Sequence, residues 1–150
     1  MQKVVNLLGS PTDFLDKIFQ YLQRTRIDVR QCELDHICYR VETLERYEAL
    51  KIELATLGEQ LTESIIGGRP IASFKLNEPI FHKKRQISVI ELPAPKQGSF
   101  YKEGYEHVEF VIDISFLDFM KQHSNLTFFF FVFVQAEIGF FWFKLSRSYH

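Results

Sequence analysis

Residues 35–41 read Asp35-His36-Ile37-Cys38-Tyr39-Arg40-Val41, and residues 105–112 read Tyr105-Glu106-His107-Val108-Glu109-Phe110-Val111-Ile112. Both are rich in β-branched and aromatic residues, both are too short for a helix, and both carry a histidine near the start. They predict two strands. A cappable helix follows each. Thr43 precedes the stripe Leu44, Tyr47, Leu50, Leu54 and Leu57, with Gly58 placed to end it, and Ser115 precedes a short helix through about His123. A strand–helix unit met twice points to a second copy of one module, although three matching residues make a weak repeat on their own.

Between the two units, residues 60–66 and 70–76 read as strands joined at Gly67-Gly68, a pair suited to a hairpin turn that needs positive φ. Residues 86–92 form a further strand, stopped by Pro93 and Pro95. The first module therefore runs strand, helix, strand, strand, strand. Before it, Ser10 and Pro11 suit the start of a helix over about 11–24, with Asp13 at its positive end and Phe14, Leu15, Ile18, Phe19 and Leu22 on one face.

The composition fits one globular domain. The 150 residues are 46 % hydrophobic and 25 % charged, with a net charge of −1. No global field favours nucleic acid or an anionic membrane, and the basic run Lys83-Lys84-Arg85 reads as a solvated turn. Two cysteines, Cys32 and Cys38, without a Cys-x-x-Cys element, argue against a disulfide scaffold or a thiolate zinc site. They fit a reducing compartment. The N-terminus, MQKVVNLLGSPTDF, lacks a long apolar region and a cleavage site. A cytoplasmic protein is expected.

From residue 126 onward the character changes. Half of the sixteen phenylalanines lie in this tail, four of them consecutive at 128–131. Three readings stand: two buried strands over 127–134 and 138–145, a C-terminal membrane anchor, or an altered terminus. An anchor over 126–145 is long enough. Glu137, however, would cost roughly 2.5–3.5 kcal/mol against about −0.3 for each phenylalanine. Alternation of apolar and polar residues is missing, so half-buried strands are not favoured. The altered terminus is preferred, giving a domain over 1–125 and an atypical Phe-rich tail over 126–150.

Alternation places His36, Cys38 and Arg40 on one side of their strand, and His107 with Glu109 on one side of theirs. Glu91 lies in a strand apolar enough to be buried on both faces, where a carboxylate needs a cation or donors. Two imidazoles and a carboxylate suit Zn²⁺, Fe²⁺, Mn²⁺ or Ni²⁺ with positions left open. Bland alternatives exist for each. A strand histidine is more often a satisfied core or surface residue, Glu91 can mark a solvated strand end, and Glu106 and Glu109 can be ordinary surface acids.

Four segments in order carry a resemblance: Asp35 to Arg40, ESIIGGRPIASFKL at 63–76, Ile90-Glu91-Leu92-Pro93-Ala94-Pro95, and Glu103-Gly104-Tyr105-Glu106-His107-Val108-Glu109. Together they closely resemble the bacterial YecM family, from the N-terminal helix to about Phe128. The resemblance implies the vicinal-oxygen-chelate (glyoxalase/bleomycin-resistance/dioxygenase) superfamily. Its fold is α+β, built of paired mixed-sheet βαβββ modules. Here an N-terminal helix precedes the first module (35–92), and the second is incomplete (105–124). It implies His36 as the first-strand ligand of module one, Glu91 as its last-strand ligand, and His107 as the first-strand ligand of module two, on a divalent metal. Module two should supply a further position, and the Phe-rich tail leaves it unassigned.

A metal-dependent enzyme of the glyoxalase/dioxygenase type acting on a small molecule is the leading expectation. Arg40 and Glu109 are the substrate-binding candidates, Arg40 for an anionic group. A non-catalytic small-molecule-binding module, or a degenerate truncated paralogue, is the alternative, because members of this fold run several chemistries or none. Apolar surface left by half a module makes a homodimer a further expectation.

Overall fold

The computed structural model describes residues 2–126, 133–136 and 139–145. Two short helices come first, α1 (Gln2–Leu8) and α2 (Thr12–Arg24). Module one follows as β1 (Leu34–Arg40), α3 (Leu44–Ala55), β2 (Gly58–Ile66), β3 (Arg69–His82) and β4 (Arg85–Pro93). Then come β5 (Gly104–Ile112), α4 (Phe116–Gln122), β6 (Phe133–Ala136) and β7 (Gly139–Leu145).

The local signals act as their chemistry requires. Ser10 Oγ accepts the amide of Thr12 at 3.3 Å, but the helix starts one residue later than expected: Pro11 is its N-cap and Thr12 its first residue. Thr43 and Ser115 each accept a backbone N–H three residues on, at 3.1 Å in both cases. Gly67 and Gly68 adopt φ of 59° and 80° at the β2–β3 hairpin, conformations that a side chain disfavours. Lys83 and Lys84 form the turn between β3 and β4.

Three details differ from expectation. Gly58 does not end α3, which stops at Ala55; it opens β2 opposite Leu76. A Cβ there would sit 2.2 Å from the Lys75 carbonyl oxygen, so the residue is glycine for close strand approach. Leu44 is exposed, and only Tyr47, Leu50 and Leu54 of the stripe are buried by α3. β3 continues six residues beyond the expected end at 76, across a register irregularity between Lys75 and Ile80.

All seven strands form one sheet in the order β2-β3-β4-β1-β5-β7-β6. β1 pairs parallel with β4 and antiparallel with β5, and β5 pairs parallel with β7. β6 and β7 form an antiparallel pair, as β3 and β4 do. The two halves thus mirror each other across the β1–β5 seam. Module two does not stop after its helix: it continues in the β6–β7 pair, within the stretch read as an atypical tail. Of the strand reading for that stretch, β7 falls within 138–145, whereas most of 127–134 lies outside the described residues. The anchor and altered-terminus readings rest on the same stretch.

One sheet face carries the core. Ala72, Phe74, Ile90, Leu92, Ile37, Tyr39, Val108 and Phe110 are buried there, in one cluster with Leu15, Ile18 and Leu22 of α2 and Tyr47, Leu50 and Leu54 of α3. Ladder partners share a face, so Ser73, Glu91, Cys38, His107 and Glu109 line up on the opposite side. β4 carries buried residues on both faces: Ile90 and Leu92 on the core side, and Ile87 and Pro93 at the positions alternating with them, while Ser88, Val89 and Glu91 are half-buried. Among the described residues, no helix is long and apolar enough to cross a membrane.

Candidate metal centre

The sheet brings three distant residues to one point. β1–β4 pairing sets Cys38 beside Glu91, and β1–β5 pairing sets Cys38 beside His107 and His36 beside Glu109. Ligand-type atoms of His36, Glu91 and His107 consequently lie within 4.8 Å of one another. His36 Nε2 is 3.6 Å from Glu91 Oε2, and His107 Nε2 is 3.5 Å from Glu91 Oε1. The two rings stand 5.9 Å apart at 75°, so both Nε2 atoms address the same carboxylate.

The site is shielded from water but not sealed. The side chains of His36, His107 and Glu91 are 11 %, 14 % and 24 % exposed. Burial tends to raise the Glu91 carboxyl, but His107 and His36 hold it below the ordinary glutamate value. Burial likewise opposes charge on His107, yet Cys38, Glu106 and Glu91 together raise its pKa well above the ordinary histidine value. Cys38 itself stays a thiol, because burial pushes it up to about 11, so the two carboxylates supply the negative charge that His107 meets at neutral pH.

A divalent ion fits this donor set. Among the described residues His36 Nε2 is buried without a hydrogen-bond partner, which is costly unless a Lewis acid or donor meets it. Two imidazoles and one carboxylate match the ligand preferences of Zn²⁺, Mn²⁺, Fe²⁺ and Ni²⁺.

The substrate-binding candidates are also on this face. Arg40 Nη1 donates to Glu106 Oε1 at 2.7 Å, and its guanidinium lies 4.4 Å from the Tyr101 ring centre. Glu109 groups with Asp35 and His36, again within 4.8 Å. In the sequence Glu106 reads as an ordinary surface acid, and Asp35 only as part of its strand and of the family-like segment. In the structure, Asp35 Oδ2 is 2.9 Å from His36 Nδ1, and Glu106 Oε2 is 3.5 Å from His107 Nδ1. Strand alternation points both acids away from the ligands, so no local signal could have found them.

A cavity of about 700 Å³ lies elsewhere, between α2 and the β3–β4 turn. Three of its four lysine and arginine side chains are already engaged. Lys83 pairs with Asp16, Arg30 pairs with Asp28, and Arg85 donates to the carbonyls of Val29 and Cys32. The convergent polar groups are at the histidine site instead.

Two strand–helix modules joined across β1–β5, with helices on one face and His36, Glu91 and His107 converging on the other, form a vicinal-oxygen-chelate fold. The chain belongs to the YecM family, whose model matches residues 3–142. That match extends well past Phe128, into β7. Protein YecM of Escherichia coli K12 is 34 % identical over 102 residues, covering 66 % of this chain and 53 % of the relative. An uncharacterised Haemophilus influenzae protein is 29 % identical over 113 residues, covering 75 % and 59 %. The chain thus spans just over half the length of these curated relatives. Among solved structures, a structural-genomics protein, EC4020, superposes with a TM-score of 0.62 at 32 % identity, covering 69 % of this chain and 56 % of that one. A Streptomyces coelicolor methylmalonyl-CoA epimerase variant bound to 2-nitronate-propionyl-CoA gives 0.57 at 15 % identity, covering 77 % and 98 %, which is a likeness of fold.

Proposed function

We propose that this chain binds one divalent metal ion through His36, Glu91 and His107 and acts there on a small oxygen-bearing molecule. The observation that carries the reading is the buried His36 Nε2, without a hydrogen-bond partner among the described residues and aimed with His107 Nε2 at one carboxylate. Glu91 supplies the negative charge that makes the cluster more than a pair of imidazoles. When bound, the metal would supply Lewis acidity for a developing oxyanion.

The remaining residues have roles of their own. Arg40 and Glu109 flank the ligands on the same face, where Arg40 offers a cation to an anionic substrate group and Glu109 an acceptor or base. The buried helix-side core keeps the sheet rigid beneath them. A small-molecule ligand fits this placement better than a nucleic acid, since net charge is near zero.

Metal analysis of the purified chain, followed by titration with Zn²⁺, Mn²⁺, Fe²⁺ and Ni²⁺, tests the reading. Stoichiometric metal lost in a Glu91→Ala variant supports it, and a chain that neither carries nor takes up any of the four ions refutes it. The non-catalytic alternative separates at the next step, by metal binding without turnover of any small carbonyl or hydroxy acid. A homodimer is proposed on a different surface from the one expected of half a module: β2, an edge strand in module one, exposes Leu61, Ile65 and Ile66, and light scattering tests it.

A further inference from the structure

Asp35 and Glu106 each immediately precede a candidate ligand on a strand, and a regular strand would turn both toward the core. The β1–β5 ladder is irregular at these two places. Leu34 pairs with Phe110 and His36 with the adjacent Glu109, so β1 spends two residues against one and Asp35 is the extra. Cys38 pairs with His107 and Tyr39 with Tyr105, so β5 spends two against one and Glu106 is the extra. These are β-bulges, one on each strand of the seam, and a bulge re-aims the side chains around it. Leu34 stays in the core while His36, two residues on, lies on the ligand face.

The consequence is a carboxylate behind each imidazole. Asp35 Oδ2 meets His36 Nδ1 at 2.9 Å, and Glu106 Oε2 lies 3.5 Å from His107 Nδ1. Glu106 is itself held, since its Oε1 receives Arg40 Nη1 at 2.7 Å and the Cys38 thiol donates to its Oε2 at 3.7 Å. An imidazole that donates Nδ1–H to a carboxylate carries its free lone pair on Nε2, the atom that both rings aim at Glu91.

We propose that Asp35 and Glu106 are positioning residues. Each bulge swings the acid before a ligand histidine onto the ligand's own face, where it fixes the ring as the Nδ1–H tautomer and leaves Nε2 for a cation. The inference rests on the metal reading for its ligand, but the His36 tautomer it requires can be read in the metal-free chain.

Two measurements separate the inference from that reading. In the ¹⁵N-labelled, metal-free full chain in mildly alkaline buffer, two-bond ¹H–¹⁵N correlations should show His36 protonated at Nδ1 and bare at Nε2. Asp35→Ala should move His36 toward the Nε2–H form, while Asp35→Asn, which keeps an acceptor oxygen, should largely preserve the original form. Zinc titration should then show affinity reduced about 10–100-fold in Asp35→Ala and Glu106→Ala, with Asp35→Asn and Glu106→Gln nearer the parent. A parent chain that binds zinc with His36 in the Nε2–H form overturns the positioning role, and so does unchanged zinc affinity in both alanine variants. A parent chain that holds the Nδ1–H tautomer but binds no zinc overturns the metal reading and supports the orienting one.

Discussion

Zinc should raise the melting temperature of this chain by an amount that Glu91 controls. The unfolded chain cannot assemble ligands separated by 55 and 16 residues in sequence, so metal binds the folded state and stabilises it by mass action. At a free concentration one hundred times Kd this adds about 2.7 kcal/mol. For a chain of this length each kcal/mol moves the midpoint by about 2–4 °C, giving a rise of about 5–11 °C. Glu91→Gln keeps the shape between the imidazoles but removes the only anionic ligand. If affinity falls about 100-fold, the same zinc concentration equals the variant's Kd and adds only about 0.4 kcal/mol, about 1–2 °C. Differential scanning calorimetry of both proteins, with and without metal, reads the four midpoints, and the metal-free variant's midpoint checks that it folds. An equal zinc-induced rise in parent and variant would refute the reasoning, because the ion would then be held elsewhere. Absence of any rise in the parent would refute it as directly.

Three further outcomes follow from the packing. Gly58→Ala should destabilise by about 1–3 kcal/mol or more in urea denaturation, because its Cβ would meet the Lys75 carbonyl oxygen at 2.2 Å and backbone must move; a neutral effect would mean the β2–β3 ladder yields freely. Arg85→Met should cost about 1–3 kcal/mol in the same assay, since the Cys32 carbonyl loses its guanidinium donor and the Val29 carbonyl keeps only the Cys32 N–H. His82 is buried and stacked on Phe19 at 5.6 Å, and burial holds its pKa below the ordinary histidine value despite nearby Asp16. The unfolded chain therefore takes up this proton first. Stability is full above the ordinary histidine pKa and falls as the pH drops through it toward the folded value. Denaturation across that window should show a slope reduced in His82→Gln, and equal slopes would sink the assignment.

Much of the fold could be read locally. Helical periodicity fixed α2 and α3, hydroxyl caps marked the starts of α3 and α4, and Gly67-Gly68 marked the hairpin, because each signal lies within a few residues of the backbone it governs. α1 escaped notice, being only seven residues long, and the β6–β7 pair was disfavoured because its sequence lacks alternation. β7 belongs to the sheet through its parallel ladder with β5, running from His107 opposite Phe140 to Ile112 opposite Leu145. Pairing of that kind joins segments about thirty residues apart and leaves no short-range pattern.

The strand starting at Asp35 shows where the division falls. Its strand character, its histidine and the likeness of 35–40 to the YecM family were all present in the sequence, and the same likeness nominated Glu91 and His107. Alternation along a strand also correctly put His36, Cys38 and Arg40 on one side. Only the tertiary structure decided that Cys38 stands between Glu91 and His107, which is a matter of register between strands. It alone decided that Asp35 and Glu106 share the ligands' face, against the alternation their positions imply. The reason is physical: side-chain direction within a strand follows from local backbone geometry, whereas register and bulges are set by how two distant strands share one ladder of hydrogen bonds.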